Sequence, residues 1–310
     1  IVMVQRPDST EYDGMPRSAI ATGLVDYELP PAEMPAQIIA YVTRAFGKPK
    51  RSSSPPEPTA ENALKKVFIV LRDQTGHDFS QYKLSTVQRR IERRMAVHKI
   101  ETIDAYVKHL QQTTVEVDAL FRDLLIGVTS FFRDPEAFAV LESLVIPRLF
   151  EGKPVGAAIR VWSPGCSTGE EAYSIAILLQ EHLEAQKQSF NVQVFATDID
   201  SRAIVAARAG IYPPSIASDV SPERLERFFV PEPDNADGSP GGYRIRKGIR
   251  DLIVFSEQDV IKDPPFSKLD LISCRNLLIY MGGELQKKLI PLFHYALNPS
   301  GFLFQGTSET

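Results

Sequence analysis

SPGCSTGEEAYSIA, residues 163–176, follows the apolar run IRVW (159–162). A strand that feeds a tight glycine turn and then a helix is the ligand-binding edge of a doubly wound α/β sheet. Three ligands fit such a turn. A phosphate is the poorest, because the glycines stand at 165 and 169, which gives neither GxGxxG nor GxxxxGK[ST]. Glu170 and Glu171 would also set carboxylates where a pyrophosphate should lie. A serine nucleophile is the second, because Gly165-Cys166-Ser167-Thr168-Gly169 matches the GxSxG elbow of the α/β hydrolases. That fold places its oxyanion-hole loop and several strands before the elbow, and here the preceding ninety or so residues read as helical. The third ligand is cationic. A glycine turn lets backbone approach it closely, and a carboxylate from Glu170 takes an ammonium by a charge-assisted hydrogen bond.

The strands around the turn carry more acids of this kind. VQVFATDID (192–200) ends in Asp198 and Asp200, where a carboxylate accepts from ribose hydroxyls. A third strand-like run ends at Phe255–Asp259, so Asp259 is set to accept from an adenine amino group. LDLISC (269–274) is the fourth strand. Each acid alone has a plain structural account, since caps and turns of any α/β protein are rich in Asp, Glu and Gly. The ordered set Gly165, Glu170, Asp198, Asp259 is less easily accidental, and it suits S-adenosylmethionine, which bears an ammonium and a sulfonium and no phosphate.

The rest of the chain frames this unit. Its 310 residues carry 35 Lys and Arg against 39 Asp and Glu, a net charge of −4, so no overall basic excess points to nucleic acid. Two cysteines without CxxC spacing fit a reducing, cytoplasmic compartment and free thiols, and the five histidines show no metal-ligand spacing. No apolar run is long enough to span a bilayer. Residue 1 is Ile, with no signal peptide, which reads as a piece beginning inside a longer protein. IVMVQ reads as a strand and PAQIIAYVTRAF as a helix, in a leading piece (1–46) too short for its own core. GKPKRSSSPPEPTAE (47–61) reads as a linker. Apolar positions at helical spacing follow over 62–128, including Val87, Ile91, Tyr106, Leu110, Val117 and Leu120. Asp134 before Pro135 predicts an N-cap, with a helix running to about Phe150. The short helix PERLERFF, the loose segment PEPDNADGSPGG and the alternating YRIRKGIRDLIVF predict a small antiparallel insertion at about 213–255.

VTSFFRDPEAF (128–138), VWSPGCSTGEEAYSIA (161–176), VFATDID (194–200), DLISCRNLLIYM (270–281) and GTSE (306–309) together resemble the CheR-type chemoreceptor glutamate methyltransferases, in the same order and over about 60–310. The segment YDGMPRSAIATGLVDYELP (12–30) resembles the end of a CheB-type methylesterase domain. The pair suggests a CheB–CheR hybrid. The resemblance implies a Rossmann-like S-adenosylmethionine-dependent catalytic domain (131–310) with a β-subdomain insertion, preceded by an all-α domain (62–130). It implies transfer of the cofactor's methyl group to glutamate carboxylates on receptor cytoplasmic helices, with S-adenosylhomocysteine as product. The family's cofactor positions fall on Thr129, Arg133, Glu170, Asp198, Asp259, Val260, Arg275 and Asn276. Arg133 and Tyr280 match the positions facing the transferring methyl group. No metal, nucleic acid or membrane insertion is implied.

One departure, a decoy and a basic helix remain. The family often has Asn where this chain has Gly127, which puts one cofactor contact in doubt and leaves open a module that binds cofactor without transferring methyl. Asp263-Pro264-Pro265-Phe266 matches the DPPF of amino-methylating DNA enzymes, but it precedes the fourth strand instead of following it, and reads as a turn. The basic helix YKLSTVQRRIERRMAVHK (82–99) stacks Arg89 with Arg93 and Arg90 with Arg94. That stripe is either a solvated face or a dock for acidic receptor helices, with the β-subdomain as a second contact.

Overall fold

The leading piece folds onto the helical segment. In the computed structural model, which describes residues 1–21, 25–45, 58–186, 189–234 and 241–309, the chain divides into two compact units, Ile1–Ile126 and Gly127–Thr310. The predicted linker lies outside the described residues over 47–57, and its last four residues are already helical.

In the first unit, strands β1 (Met3–Gln5) and β2 (Tyr27–Leu29) pair in parallel. Helices α1 (Gly14–Ala21) and α2 (Met34–Ala45) accompany them. Four helices follow: α3 (Pro58–Thr75), α4 (Leu84–Val97), α5 (Ile103–Gln112) and α6 (Thr114–Leu124). Their apolar stripes meet in one core that includes Val67, Leu71, Phe79, Val87, Ile91, Tyr106, Leu110, Val117 and Leu120. Each fully buried side chain of this kind contributes about 1.5–3 kcal/mol. The leading piece docks through Tyr27, whose hydroxyl donates to the Val97 carbonyl (2.5 Å), and through Asp26. The Asp26 carboxylate accepts from Arg93 (2.8 Å) and lies 3.6 Å from Arg94. Half of the predicted docking stripe is therefore occupied from within the chain. Arg93 also binds Asp123, and Arg94 binds Glu116, whereas Arg89 and Arg90 have no acidic partner among the described residues.

In the second unit, the segment after Asp134 forms α7 (Pro135–Val140), a π turn (Leu141–Val145) and α8 (Ile146–Phe150). The π turn stands just before Pro147, which has no N–H to continue the α ladder. Asp134 does not cap this helix with its side chain. Its φ is 59°, and its carboxylate turns to Arg275 instead. Next come β3 (Ala158–Pro164), α9 (Glu170–Gln186), β4 (Asn191–Asp198) and α10 (Ser201–Ala209). Strands β5 (Ile211–Tyr212), β6 (Phe229–Pro231) and β7 (Tyr243–Ile245) form a small antiparallel sheet, with α11 (Pro222–Phe228) and α12 (Lys247–Arg250) beside them in sequence. β8 (Ile253–Glu257), β9 (Leu269–Cys274), α13 (Gly283–Ala296) and β10 (Leu297–Gln305) complete the unit. The run YRIRKGIRDLIVF is thus split. Its first part belongs to the small sheet, and its end is β8 of the main sheet.

The main sheet is parallel throughout, in the order β10-β9-β3-β4-β8. β3, β4 and β9 are almost wholly buried, as apolar strands covered on both faces must be. The chain runs outward from β3 to β4 and β8, then returns to the other side of β3 with β9. That reversal makes the carboxyl ends of these strands a topological switch point, where ligands of open α/β sheets bind.

Candidate functional site

The glycine turn is built by close packing. Gly165 has φ 69°, and a Cβ there would lie 3.1 Å from the Leu277 side chain. Gly169 has φ 95°, with Ala207 and the Phe255 ring at 3.0 and 3.1 Å from where its Cβ would be. Only glycine meets both demands. Between them Ser167 takes φ 49°, and its N–H donates to the Asp198 carboxylate at 2.7 Å. The ends of β3 and β4 are thereby joined by one short hydrogen bond.

Two carboxylates of this edge lack a cation. Glu170 begins α9 and accepts only from the Thr168 hydroxyl among side chains (2.7 and 2.9 Å). Asp198 accepts from the backbone N–H groups of Ser167 and Asp200. No Lys, Arg or His forms an ion pair with either among the described residues. Burial pushes Glu170 above its ordinary value, and the Thr168 hydroxyl offsets only part of this. Burial pushes Asp198 up likewise, against the backbone hydrogen bonds. Both acids are half-buried, and acids partly withdrawn from water and satisfied by neutral donors alone make a site that gains from a cationic guest.

The remaining predicted residues gather along the same strand ends. The Asp259 carboxylate accepts from the Ile261 N–H (2.9 Å) in the loop after β8, and Val260 is buried beside it. Asn276, after β9, takes φ 59°. Tyr280 ends a 3-10 turn (Leu278–Tyr280) and is half-buried. Thr129 and Arg133 lie on the segment that opens this unit, both half-buried. The Arg133 guanidinium donates to the Val128 carbonyl (2.7 Å) and has no acidic partner among the described residues.

Arg275 departs from its sequence-based assignment. Its side chain is 0% exposed, paired with Asp134 and Glu171 and lying over the rings of Phe138 and Phe304. The guanidinium therefore faces the core, and only the backbone at 275 is left for a ligand. The sequence reading also missed Glu309. Its carboxylate accepts from the N–H groups of Leu277, Leu278 (both 2.8 Å) and Gly306 (2.7 Å), fixing the turn that carries Asn276 and Tyr280. The closing GTSE was the signal, without the role.

The alternatives weighed on the sequence lose their geometry. The Ser167 hydroxyl donates to the Gly127 carbonyl (3.3 Å), and no histidine bonds to it among the described residues. A nucleophile needs such a base. Phe266 of DPPF stacks on Phe195 with ring centroids 4.3 Å apart and packs edge-on against Trp162, so the motif is core packing. At Gly127, a Cβ would lie 3.0 Å from the Ser167 hydroxyl, so the glycine accommodates the turn. Cys166 and Cys274 are buried free thiols, pushed up by burial. The one three-residue group with metal-ligand types among the described residues, His98, His109 and Glu116, lies in the helical unit, where Arg94 already occupies both oxygens of that carboxylate.

Residues 127–310 match the CheR methyltransferase SAM-binding domain. This chain belongs to the CheR methyltransferase family. Residues 62–125 match the CheR all-alpha domain, and residues 1–38 match the CheB methylesterase. A 104.1 kDa protein of Rhodobacter capsulatus is 37% identical over 329 residues, covering 100% of this chain and 34% of that protein, so the chain spans about a third of that relative's length. The chemotaxis protein methyltransferase 1 of Pseudomonas aeruginosa is 30% identical over 257 residues, covering 81% of this chain and 91% of that protein. The chemotaxis protein methyltransferase of Listeria monocytogenes is 32% identical over 241 residues, with 78% and 87% covered. The CheR chain thus carries the S-adenosylmethionine-binding methyltransferase domain of its family, a parallel-sheet α/β domain preceded by an all-α domain. Its desolvated, cation-free carboxylates fit that cofactor's charge.

Proposed function

We propose that this CheR chain methylates glutamate side-chain carboxylates on the cytoplasmic helices of a chemoreceptor, in the cytoplasm, as part of a longer CheB–CheR hybrid. The observation that carries this reading is a division of charge. Among the described residues, the strand ends hold half-buried acids without a cation, suited to a cationic donor, and Arg133 is a cation without an acid, suited to an anionic acceptor. Among the described residues, no helix is long and apolar enough to cross a membrane, in keeping with an enzyme acting on the receptors' cytoplasmic part.

Glu170 would hold the ammonium, Asp198 the ribose hydroxyls, and Asp259 with Val260 the adenine. Thr129, Asn276 and the backbone at Arg275 would complete the cradle. The bound cofactor supplies an electrophilic methyl on a positively charged sulfur. A glutamate carboxylate has an ordinary pKa of about 4.3 and is ionised at neutral pH, so no side chain has to remove a proton. What the protein must do is exclude water and align the oxygen with the methyl carbon. Arg133 and Tyr280 are the residues assigned to that alignment. Because the basic stripe of α4 is half occupied by Asp26, Asp123 and Glu116, Arg89 and Arg90 are what it offers an acidic receptor helix.

Titration with S-adenosylhomocysteine by calorimetry tests the cradle. Transfer of a tritiated methyl group to receptor-bearing membranes, released by base as an ester should be, tests the reaction. Binding without base-labile label would favour the non-catalytic module.

A further inference from the structure

We infer that Arg275 is a positioning residue. It clamps the segment that presents Arg133, and this inference rests on the alignment role proposed for Arg133. The guanidinium of Arg275 donates to the Arg133 carbonyl (2.9 Å) and to the Asp134 carboxylate (2.7 Å) through one nitrogen. Its other terminal nitrogen reaches Glu171 (3.3 Å), which also accepts from the Ser273 hydroxyl (2.7 Å). One buried cation thus ties together the opening segment, the first turn of α9 and the end of β9.

The clamped backbone needs holding. Arg133 stands between Phe132 (φ 48°) and Asp134 (φ 59°), two left-handed residues in sequence positions that are not glycine. Such conformations persist only where the surroundings over-determine them. On one side, the Phe132 N–H donates to the Ser174 hydroxyl (3.0 Å), and its ring lies under the Arg224 guanidinium at 4.7 Å. Arg224 in turn is anchored by Glu181 and Glu142. On the other side the restraint is Arg275, packed against the mutually perpendicular rings of Phe138 and Phe304 at 5.2 and 4.8 Å. A planar fork with several fixed donors does this, and lysine cannot. The clamp leaves the Arg133 side chain as the part of this segment free to meet an acceptor.

The test uses Arg275→Lys, and Asp134→Ala as a milder variant, because the Asp134 side chain is 46% exposed and its loss leaves the core intact. Asp134→Ala should lower methyl transfer to receptor-bearing membranes by about 10- to 100-fold, the scale of an ångström-sized misplacement. Affinity for S-adenosylhomocysteine should stay within about threefold. Asp134→Asn, which tolerates the left-handed backbone and keeps an acceptor oxygen, should recover most of the loss. Amide hydrogen exchange over residues 129–134 should speed up in Asp134→Ala and Arg275→Lys without any acceptor present. In an Arg133→Ala background, Asp134→Ala should add less than about twofold, because both act through one side chain. Unchanged transfer in Asp134→Ala beside a defective Arg133→Ala overturns the clamp alone, as does a loss that persists in full in the Arg133→Ala background. Unchanged transfer in Arg133→Ala overturns the role of Arg133 and the clamp with it.

Discussion

Two sets of acids withdrawn wholly or partly from water behave in opposite ways in this protein. In the helical unit, Glu116 is 3% exposed and surrounded by donors: Arg94 bonds both oxygens, Tyr106 donates at 2.7 Å, and His98 lies at 2.6 Å. Burial by itself would push its carboxyl up, but His98, Arg94 and Tyr106 more than reverse this and hold it at about 2. In the second unit, Glu170 and Asp198 meet only hydroxyl and backbone donors among the described residues, and partial burial leaves both above their ordinary values. A buried acid that has been given its cation serves structure. A half-buried one without a cation is, on the function proposed above, kept for a ligand.

The sharpest way to break this contrast is to remove each acid and measure two quantities. Glu170→Ala and Asp198→Ala should each weaken S-adenosylhomocysteine binding by about 100-fold or more, the scale of a lost charge-assisted hydrogen bond in a buried site. Thermal stability should be nearly unchanged in Glu170→Ala, which loses only the Thr168 hydroxyl contact, and lower by about 1–3 kcal/mol in Asp198→Ala, which leaves the Ser167 and Asp200 N–H groups without their acceptor. Binding that survives both changes would end the reading of the crevice. Glu116→Ala should do the reverse. It leaves Arg94 buried without its partner and should cost on the order of 3–5 kcal/mol of stability, seen in denaturant unfolding, while cofactor affinity in the folded protein stays the same.

Acid titration separates the two groups with a smaller effect. Glu116 has a depressed pKa, so its stabilisation is complete above 4.5 and is lost as pH falls from there towards 2. Glu170 has a raised pKa, so its charge, and with it affinity for S-adenosylmethionine, should fall away already at pH values above 4.5. Ligand binding should therefore fail at a higher pH than the stability term from Glu116. Calorimetry and thermal unfolding across the same buffers would show the order, and the opposite order would undo the assignment. Asp26→Ala, which takes one of the two acidic partners of Arg93 and one of the leading piece's contacts with α4, should cost about 1.5–3 kcal/mol. Smallest of all, Ser167→Ala should leave methyl transfer within about twofold, since its hydroxyl makes one longer hydrogen bond to Gly127.

Much of the candidate site could be read in the chain because its parts are local. The turn from Gly165 to Glu170, the acids ending β4 and β8, and the segment around Arg133 are short stretches in which spacing states the conformation. The α/β unit behind an all-α domain was legible for the same reason, as apolar runs change period at about 158. Arg275 was not legible, since its partners Asp134 and Glu171 stand 141 and 104 residues away. Nor was Asp26, 67 residues from the Arg93 it binds, which halves the basic stripe that looked open to solvent.

By itself, the sequence determined which segments are strands and helices and which side chains crowd one sheet edge, because period and turn chemistry act over a few residues. Tertiary structure alone decided which of the charges are spent within the protein and which remain for a ligand. That depends on distance and burial between residues far apart in the chain, and a carboxylate's chemistry is set by the partner that reaches it.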